Sequence, residues 1–156
     1  MRATVLTAAV AILMATASSA QVTHQKDIEA KPAPADNFTG TVTLKALAKP
    51  QPPGQASIGL VTFAPGARSH WHTHPAGQTF IVTDGCGWTQ KQGGAVRRVC
   101  KGDVVTVAPG VKHWHGATAT TQMAHLAVTE TVGGRNVDWL EAVSGADYRA
   151  AARTAK

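Results

Sequence analysis

Histidine is unevenly spread along this chain. Five of its seven histidines fall in two tight clusters, His70, His72 and His74, then His113 and His115. In a strand, alternate side chains share a face, so His72 and His74 point at one centre. Gln78 comes four residues after His74, and Pro75 and Gly77 between them suit a turn that returns its amide to that centre. His113 lies beyond a Pro109-Gly110 turn and completes a set of three imidazoles and one oxygen donor. Such a set suits one divalent ion (manganese, iron, cobalt, nickel or zinc), because imidazole is a borderline ligand for all of them. A lone histidine near a turn is usually a surface residue. Two alternating histidines, followed by a third on another strand, point to a metal centre instead. His115 shares the parity of His113 and faces the same interior, where it would either move a proton or support a ligand by a hydrogen bond. His125 alternates with Ala127 and Thr129, opposite Leu126 and Val128, and fits either a pocket wall or a core histidine. His70 and His24 are expected at the surface.

These side chains need a rigid β framework to converge. Between Phe38 and about Val132 the chain is rich in Val, Thr, Ile and Phe, in short runs at 41–44, 57–63, 78–83, 103–107 and 124–130. Turn signals separate them at Ala64-Pro65-Gly66, Asp84-Gly85 and Pro109-Gly110. Many short strands at such spacing predict an antiparallel sandwich or barrel. From Val137 to Ala152, near-helical spacing of Trp139, Leu140, Val143 and Tyr148 predicts a short C-terminal helix, with Gly145 as a break point. Trp71 and Trp114 flank ligand positions and point away from the metal by alternation, and with Trp88 and Trp139 they are expected to be structural anchors. Arg68 is expected in a solvent-facing ion pair or against an anionic substrate.

The chain is long enough for one domain with tails. Residues 1–20 read as a secretory signal: Arg2 gives the positive start, the stretch from Ala3 to Ala17 is apolar, and Ser18-Ser19-Ala20 supplies a small-residue cleavage site. The apolar run is shorter than the roughly 20 residues a membrane span needs. The mature protein is therefore expected in the periplasm or secreted, free of the membrane. Residues 21–36, with Lys31-Pro32-Ala33-Pro34, read as a flexible leader, and 37–152 as the domain. Formal net charge is +6, falling to about +5 without Arg2, and it is dispersed, with only Arg97 and Arg98 adjacent among the basic residues of the mature chain. This gives no support to a nucleic-acid partner. Cys86 and Cys100 flank a hairpin with a Gly93-Gly94 turn, which places them side by side and favours a structural disulfide over two free thiols.

Two stretches carry a family resemblance. Gly66 to Gly85 reads Gly-x5-His-x-His-x3-Gln-x6-Gly and resembles the first cupin motif, with Gln78 in place of the usual Glu. Gly102 to His113 reads Gly-x7-Gly-x2-His and resembles the second, with Pro109 one place later than usual and Ala117 where that motif ends in Asn. Sixteen residues separate them. The resemblance implies an all-β double-stranded β-helix, or jelly roll, with the metal inside one end of the barrel. A narrower resemblance rests on the segments at 37–42, 63–68, 71–78, 85–88, 112–116 and 137–141, among them Trp-His-Thr-His-Pro-Ala-Gly-Gln and Lys-His-Trp-His-Gly. They are similar to small bacterial cupins described as manganese-dependent hydroxynitrile lyases, of the (R)-mandelonitrile lyase type. Carried over residue by residue, that likeness implies His72, His74, Gln78 and His113 as metal ligands and His115 as the proton-transferring histidine. It also implies a substrate pocket lined by Gly59, Val61, His125 and Thr129, of which Thr129 and Gly59 depart from the family's Gln and Ala.

The implied reaction cleaves or forms the carbon–carbon bond of a cyanohydrin, a small-molecule substrate, with manganese the expected ion and iron, nickel or zinc the alternatives. The neutral Gln78 leaves the ion its full double charge, which favours an oxyanion at the site. Two other functions compete: a metal-dependent oxygenase, disfavoured by the Gln ligand and by the lack of another acidic residue in either motif, and a non-catalytic exported cupin that binds a small ligand or metal. Family analogy also predicts a homo-oligomer, dimer or tetramer, with 38–47 as a candidate exchanging edge.

Overall fold

Alternating β-branched and small residues between glycine and proline turns build one curled, wholly antiparallel sheet system in the computed structural model, which describes residues 20–154. The secretory segment expected over 1–20 lies outside the described residues apart from Ala20. In chain order the strands are β1 (Lys31–Pro32), β2 (Phe38–Thr39), β3 (Val42–Ala48), β4 (Ala56–Phe63), β5 (Arg68–Ser69), β6 (His72–Thr73), β7 (Gln78–Lys91), β8 (Arg97–Cys100), β9 (Val104–Val107), β10 (His113–Ala117), β11 (Met123–Glu130) and β12 (Asp138–Trp139). Helix α1 (Gly145–Thr154) follows. One half of the barrel runs β1-β3-β4-β11-β7-β9 and the other β2-β5-β10-β7-β8, with β6 between β10 and β12. Among the described residues, no helix is long and apolar enough to cross a membrane.

Strand β7 belongs to both halves. Its first residues pair with β11 and β9, and its last with β10 and β8. The Asp84-Gly85 turn predicted from sequence is instead a bulge inside this strand, where the register against β11 slips between Ala124 and His125. Gly85 has φ +65, and a Cβ there would lie 1.9 Å from the Gln122 carbonyl oxygen, so no larger residue fits the crossing point.

Inward-facing residues of the two halves, among them Val61, Phe63, Phe80, Val82, Val99 and Met123, form the main core. A second cluster of Trp88, Trp114, Val143, Tyr148 and Ala151 holds α1 to the barrel. The helix is shorter than the sequence periodicity suggests. Ser144 caps it, its Oγ accepting the Asp147 N–H at 3.0 Å, whereas Asp138 and Trp139 pair with Thr73 and His72 in β12. Trp139 and Val143 serve different clusters, so their spacing arises from two elements and not from one helical face.

Arg68 does neither of the things expected of it. It is buried, its Nε and Nη2 donate to the Val143 carbonyl at 3.3 and 3.0 Å, and its guanidinium lies 4.7 Å from the centre of the Tyr148 ring. It thereby fastens the C-terminal segment. Residues 21–36 also differ from the flexible leader expected of them. They hold a 3-10 turn at Gln25–Asp27, and β1 pairs with Leu44 and Thr43 of β3, so paired structure begins at Lys31 and not at 37. A proline is tolerated at such a sheet edge because no partner there needs its missing N–H, and Ala33 packs on the core next to it.

Cys86 lies directly opposite Cys100 across β7 and β8, and the two are disulfide-bonded. With the cysteines 14 positions apart in sequence, the closed loop implies a stabilisation of about 2–3 kcal/mol. Replacing both with serine is expected to lower the free energy of unfolding by that amount, read from the shift of the urea transition followed by tryptophan fluorescence.

Candidate metal centre and cavity

Strand pairing sets the first two ligands face to face. His72 on β6 lies opposite His113 on β10, with ring centroids 4.2 Å apart. Two residues on, His74 keeps the parity of His72, and its ring lies 5.1 Å from His72 and 5.6 Å from His113. The turn that returns the chain is made at Gly77 (φ +79), whose N–H donates to the His74 carbonyl at 3.1 Å. A Cβ at this position would come within 2.6 Å of the Val107 oxygen. Gln78 then opens β7 with its Oε1 3.2 Å from His113 Nε2.

Each imidazole is held from behind. His72 Nδ1 donates to the His70 carbonyl at 2.9 Å, His113 Nδ1 to Val111 at 3.0 Å and His74 Nδ1 to Asn136 at 2.5 Å. A carbonyl only accepts, so in all three rings the proton sits on Nδ1 and the Nε2 lone pair is free. The histidine ligand atoms lie within 4.8 Å of one another. This separation suits a common ion at metal–nitrogen distances of about 2.0–2.1 Å after slight closure. His74 Nε2 is buried with no hydrogen-bond partner, the state of a ligand whose partner is an ion. Burial lowers the pKa of all three, that of His72 well below the usual histidine range with help from the neighbouring His113, and that of His113 to about 4. The rings are therefore neutral at pH 7, as coordination requires. The donor set fits a divalent metal ion.

His115 and His125 form a second buried pair next to the first. His115 Nδ1 lies 3.2 Å from His125 Nε2, and the His115 ring is 5.2 Å from that of His72. Phe63 and Phe80 pack against both rings. Burial, reinforced by His125, pushes His115 well below its ordinary pKa, and burial takes His125 to about 3. His115 Nε2 and His125 Nδ1 have no protein partner. Both residues border a cavity of about 440 Å³ that also reaches His72, His74 and Gln78.

Gly59, Val61 and Thr129 line this cavity as well. A Cβ at Gly59 would meet only the Lys45 carbonyl at 3.8 Å, so the glycine leaves open space without being forced by the backbone. Thr129 Oγ1 is 3.0 Å from Ser57 Oγ, a polar spot in a largely apolar wall. Sequence reasoning missed three contributors. Trp139, expected to be a structural anchor, packs its ring 4.9 Å from His72 and 5.1 Å from Phe38, and both aromatics line the cavity. Only the β12–β6 pairing brings Trp139 there, and the helical spacing concealed it. Asn136 acts on His74 through its backbone carbonyl, which no side-chain pattern reveals. Trp71, by contrast, lies away from the metal beneath Lys112, whose Nζ is 5.5 Å from its ring centre.

The chain matches the family model described as Cupin domain over residues 59–129. It is 55% identical over 116 residues to an (R)-mandelonitrile lyase of Granulicella tundricola, a match covering 74% of this chain and 88% of that protein. Among solved structures, a cupin-like protein of Thermotoga maritima is 40% identical, with a TM-score of 0.74 over 77% of this chain and 91% of its own. A polyketide cyclase of Streptomyces resistomycificus superposes with a TM-score of 0.67 at 16% identity, over 84% of this chain and 92% of its own, which is a likeness of fold alone.

The depressed histidine pKa values give stability a definite pH dependence. A histidine that is neutral in the fold and ordinary in the unfolded chain makes the unfolded state the stronger proton binder. Stability is thus fully present above about pH 6.5 and drains away as pH falls towards the folded values of about 4 for His113 and about 3 for His125. Metal-free protein is expected to lose urea resistance between pH 7 and 4.5 with a slope exceeding one proton per molecule. A flat profile over that window contradicts the buried neutral cluster.

Proposed function

The chain belongs to the cupin domain family, and on that premise we propose that it is a metal-dependent lyase of the hydroxynitrile-lyase type, breaking or making the carbon–carbon bond of a cyanohydrin. The observation that carries this reading is the convergence of three neutral Nε2 lone pairs and the Gln78 oxygen at one end of an apolar cavity, with the free Nε2 of His115 next to them. The relative that is a lyase, at 55% identity over most of the chain, supports it.

His72, His74, Gln78 and His113 would hold one divalent ion, manganese by family likeness. Such an ion supplies Lewis acidity to a substrate oxygen. Gln78 adds no charge, so the site keeps its preference for an oxyanion. In the tautomer that carries its proton on Nδ1, shared with His125 Nε2, His115 presents its Nε2 lone pair to the substrate hydroxyl and accepts that proton. As the carbonyl forms, the bond to the nitrile carbon breaks, and its electron pair leaves with cyanide. The proton then passes from His115 to cyanide, giving aldehyde and hydrogen cyanide. Burial keeps His115 neutral, so its lone pair is available to take the proton, and a buried imidazolium then gives that proton up readily to cyanide. Phe38, Val61 and Trp139 offer an apolar and aromatic wall for the substituent of the aldehyde, which suits an aryl group such as that of mandelonitrile.

The apolar segment before Ala20 supports export to the periplasm or beyond, and the Cys86–Cys100 disulfide is at home in such an oxidising compartment. A homo-oligomer is part of the same proposal. Leu60, Leu126 and Ile81 stand in one row across β4, β11 and β7, and they belong to neither core cluster. A second copy would cover them, and light scattering is expected to give at least twice the monomer mass.

The central test is release of benzaldehyde and cyanide from mandelonitrile by manganese-loaded protein. His113→Ala is expected to lose both metal and turnover. His115→Ala should keep its metal and lose turnover by a factor on the order of 10²–10⁴, and full activity in that variant removes His115 as the base. Gln78→Glu, compared at equal metal content, should turn over more slowly. Oxygen uptake without cyanide chemistry would replace the lyase with an oxygenase.

A further inference from the structure

The three histidine ligands are not held in the same way. His72 and His113 each donate Nδ1–H to a carbonyl two residues earlier in the chain, so each support comes from the segment leading into the ligand's own strand. His74 instead donates to Asn136, 62 residues away, and this is the shortest of the three contacts at 2.5 Å. Asn136 sits in the loop between β11 and β12. That loop is drawn together by the reciprocal Val132–Arg135 backbone bonds and by the Arg135–Asp138 ion pair at 2.8 Å. Its two ends are tied to the site independently, since β11 delivers Thr129 to the cavity wall and β12 pairs Trp139 with His72. The Asn136 side chain turns to the same wall, with Nδ2 3.4 Å from Thr129 Oγ1 and 3.5 Å from Ser57 Oγ. One residue therefore touches a metal ligand with its backbone and the substrate cavity with its side chain.

We propose that Asn136 is a positioning residue that couples the metal centre to the cavity, so that filling the site with an ion fixes the 131–137 loop and the wall it forms. The inference rests on the metal-site part of the functional reading and is independent of the lyase chemistry. Its physical basis is the geometry of imidazole. A coordinated ring must keep its orientation within narrow limits, and a carbonyl on the opposite nitrogen both sets that orientation and raises the ligand's basicity. For His72 and His113 that support is present whenever their strands are formed. For His74 it depends on a loop that, between its strand-bound ends, is fastened to the cavity wall through two long side-chain contacts of Asn136. Binding of an ion by His74 and seating of the loop therefore stabilise each other, and by reciprocity each favours the other to the same degree. Thr129 and Ser57, the anchors of the Asn136 amide, face the substrate, so the shape of the cavity in metal-free protein differs from that in loaded protein.

The test uses the full mature chain with manganese alone as the probe. Isothermal titration is expected to show binding weakened by up to about 10-fold in Asn136→Ala, the low end of what loss of a ligand-orienting partner costs, because the Asn136 carbonyl on His74 survives the substitution. The melting temperature of the metal-free form should stay unchanged. Asn136→Asp, which replaces the donating amide with an acceptor of the same size to which the Ser57 and Thr129 hydroxyls can turn and donate, should retain affinity. In the wild type, manganese should slow amide exchange across 131–137, and it should do so far less in Asn136→Ala. Should Asn136→Ala lower the stability of the metal-free protein, Ser57→Ala, which removes one anchor outside the loop, is expected to give a smaller loss of affinity in the same direction. Wild-type affinity in both alanine variants, or exchange in the loop indifferent to manganese, overturns the coupling and leaves the metal centre standing. A wild-type chain that binds no manganese or zinc overturns both.

Discussion

An imidazole offers a lone pair to a metal only from the nitrogen that carries no proton, and it holds that state inside a protein only when something accepts the proton on the other side. Much of this fold is arranged around meeting that condition three times. The antiparallel match of His72 with His113 sets two rings at contact distance, and the carbonyls behind them fix which nitrogen faces inwards. The sharp turn at Gly77 is needed because Gln78 has to come back to the same point within four residues. A buried His74 Nε2 with no protein partner is unfavourable. Occupancy by an ion relieves that, so metal binding and folding are linked.

The second histidine pair gives the cavity a different character. Next to a centre suited to a cation, His115 and His125 are neutral, mutually hydrogen-bonded and flanked by Phe63 and Phe80. A charge placed on either of them is short-lived, which suits groups that relay protons and not groups that store them. The aromatic side of the cavity, Phe38 and Trp139, is built from strands far apart in sequence and meets at the His72 ring. Recognition of the organic part of a substrate and organisation of the metal centre thus share a wall.

The sequence made the ligands and the pocket positions Gly59, Val61 and Thr129 legible for different reasons. The ligands follow from alternation in short strands together with a recognisable motif. Gly59 and Val61 were visible only through family likeness, since a glycine and a valine carry no chemical mark of their own, whereas Thr129 also shares the strand face of His125. Strands β3, β4, β7, β9 and β11 announced themselves through β-branched runs, but Asp84-Gly85 misled, because the same dipeptide serves a turn and a bulge and only the partner strand decides between them. Trp139 was misplaced by a helical spacing that the β12–β6 backbone pairing overrode. The ordering of 31–34 rests on an exposed edge of β3 that composition does not record. Asn136 was invisible in principle, because its contact with His74 uses an atom every residue possesses.

Sharing β7 between the two halves of the barrel has a consequence for how the molecule assembles. Within its own stretch of chain that strand finds only β8 and β9, while its remaining neighbours, β10 and β11, are made from residues after 112. Neither half can close alone, and most of the stabilising contacts join segments distant along the chain, a topology associated with slow, all-or-none folding. A polypeptide of this kind stays open until its last strands are available, so the disulfide-bearing hairpin of β7 and β8 is among the few pieces that local contacts alone can assemble early.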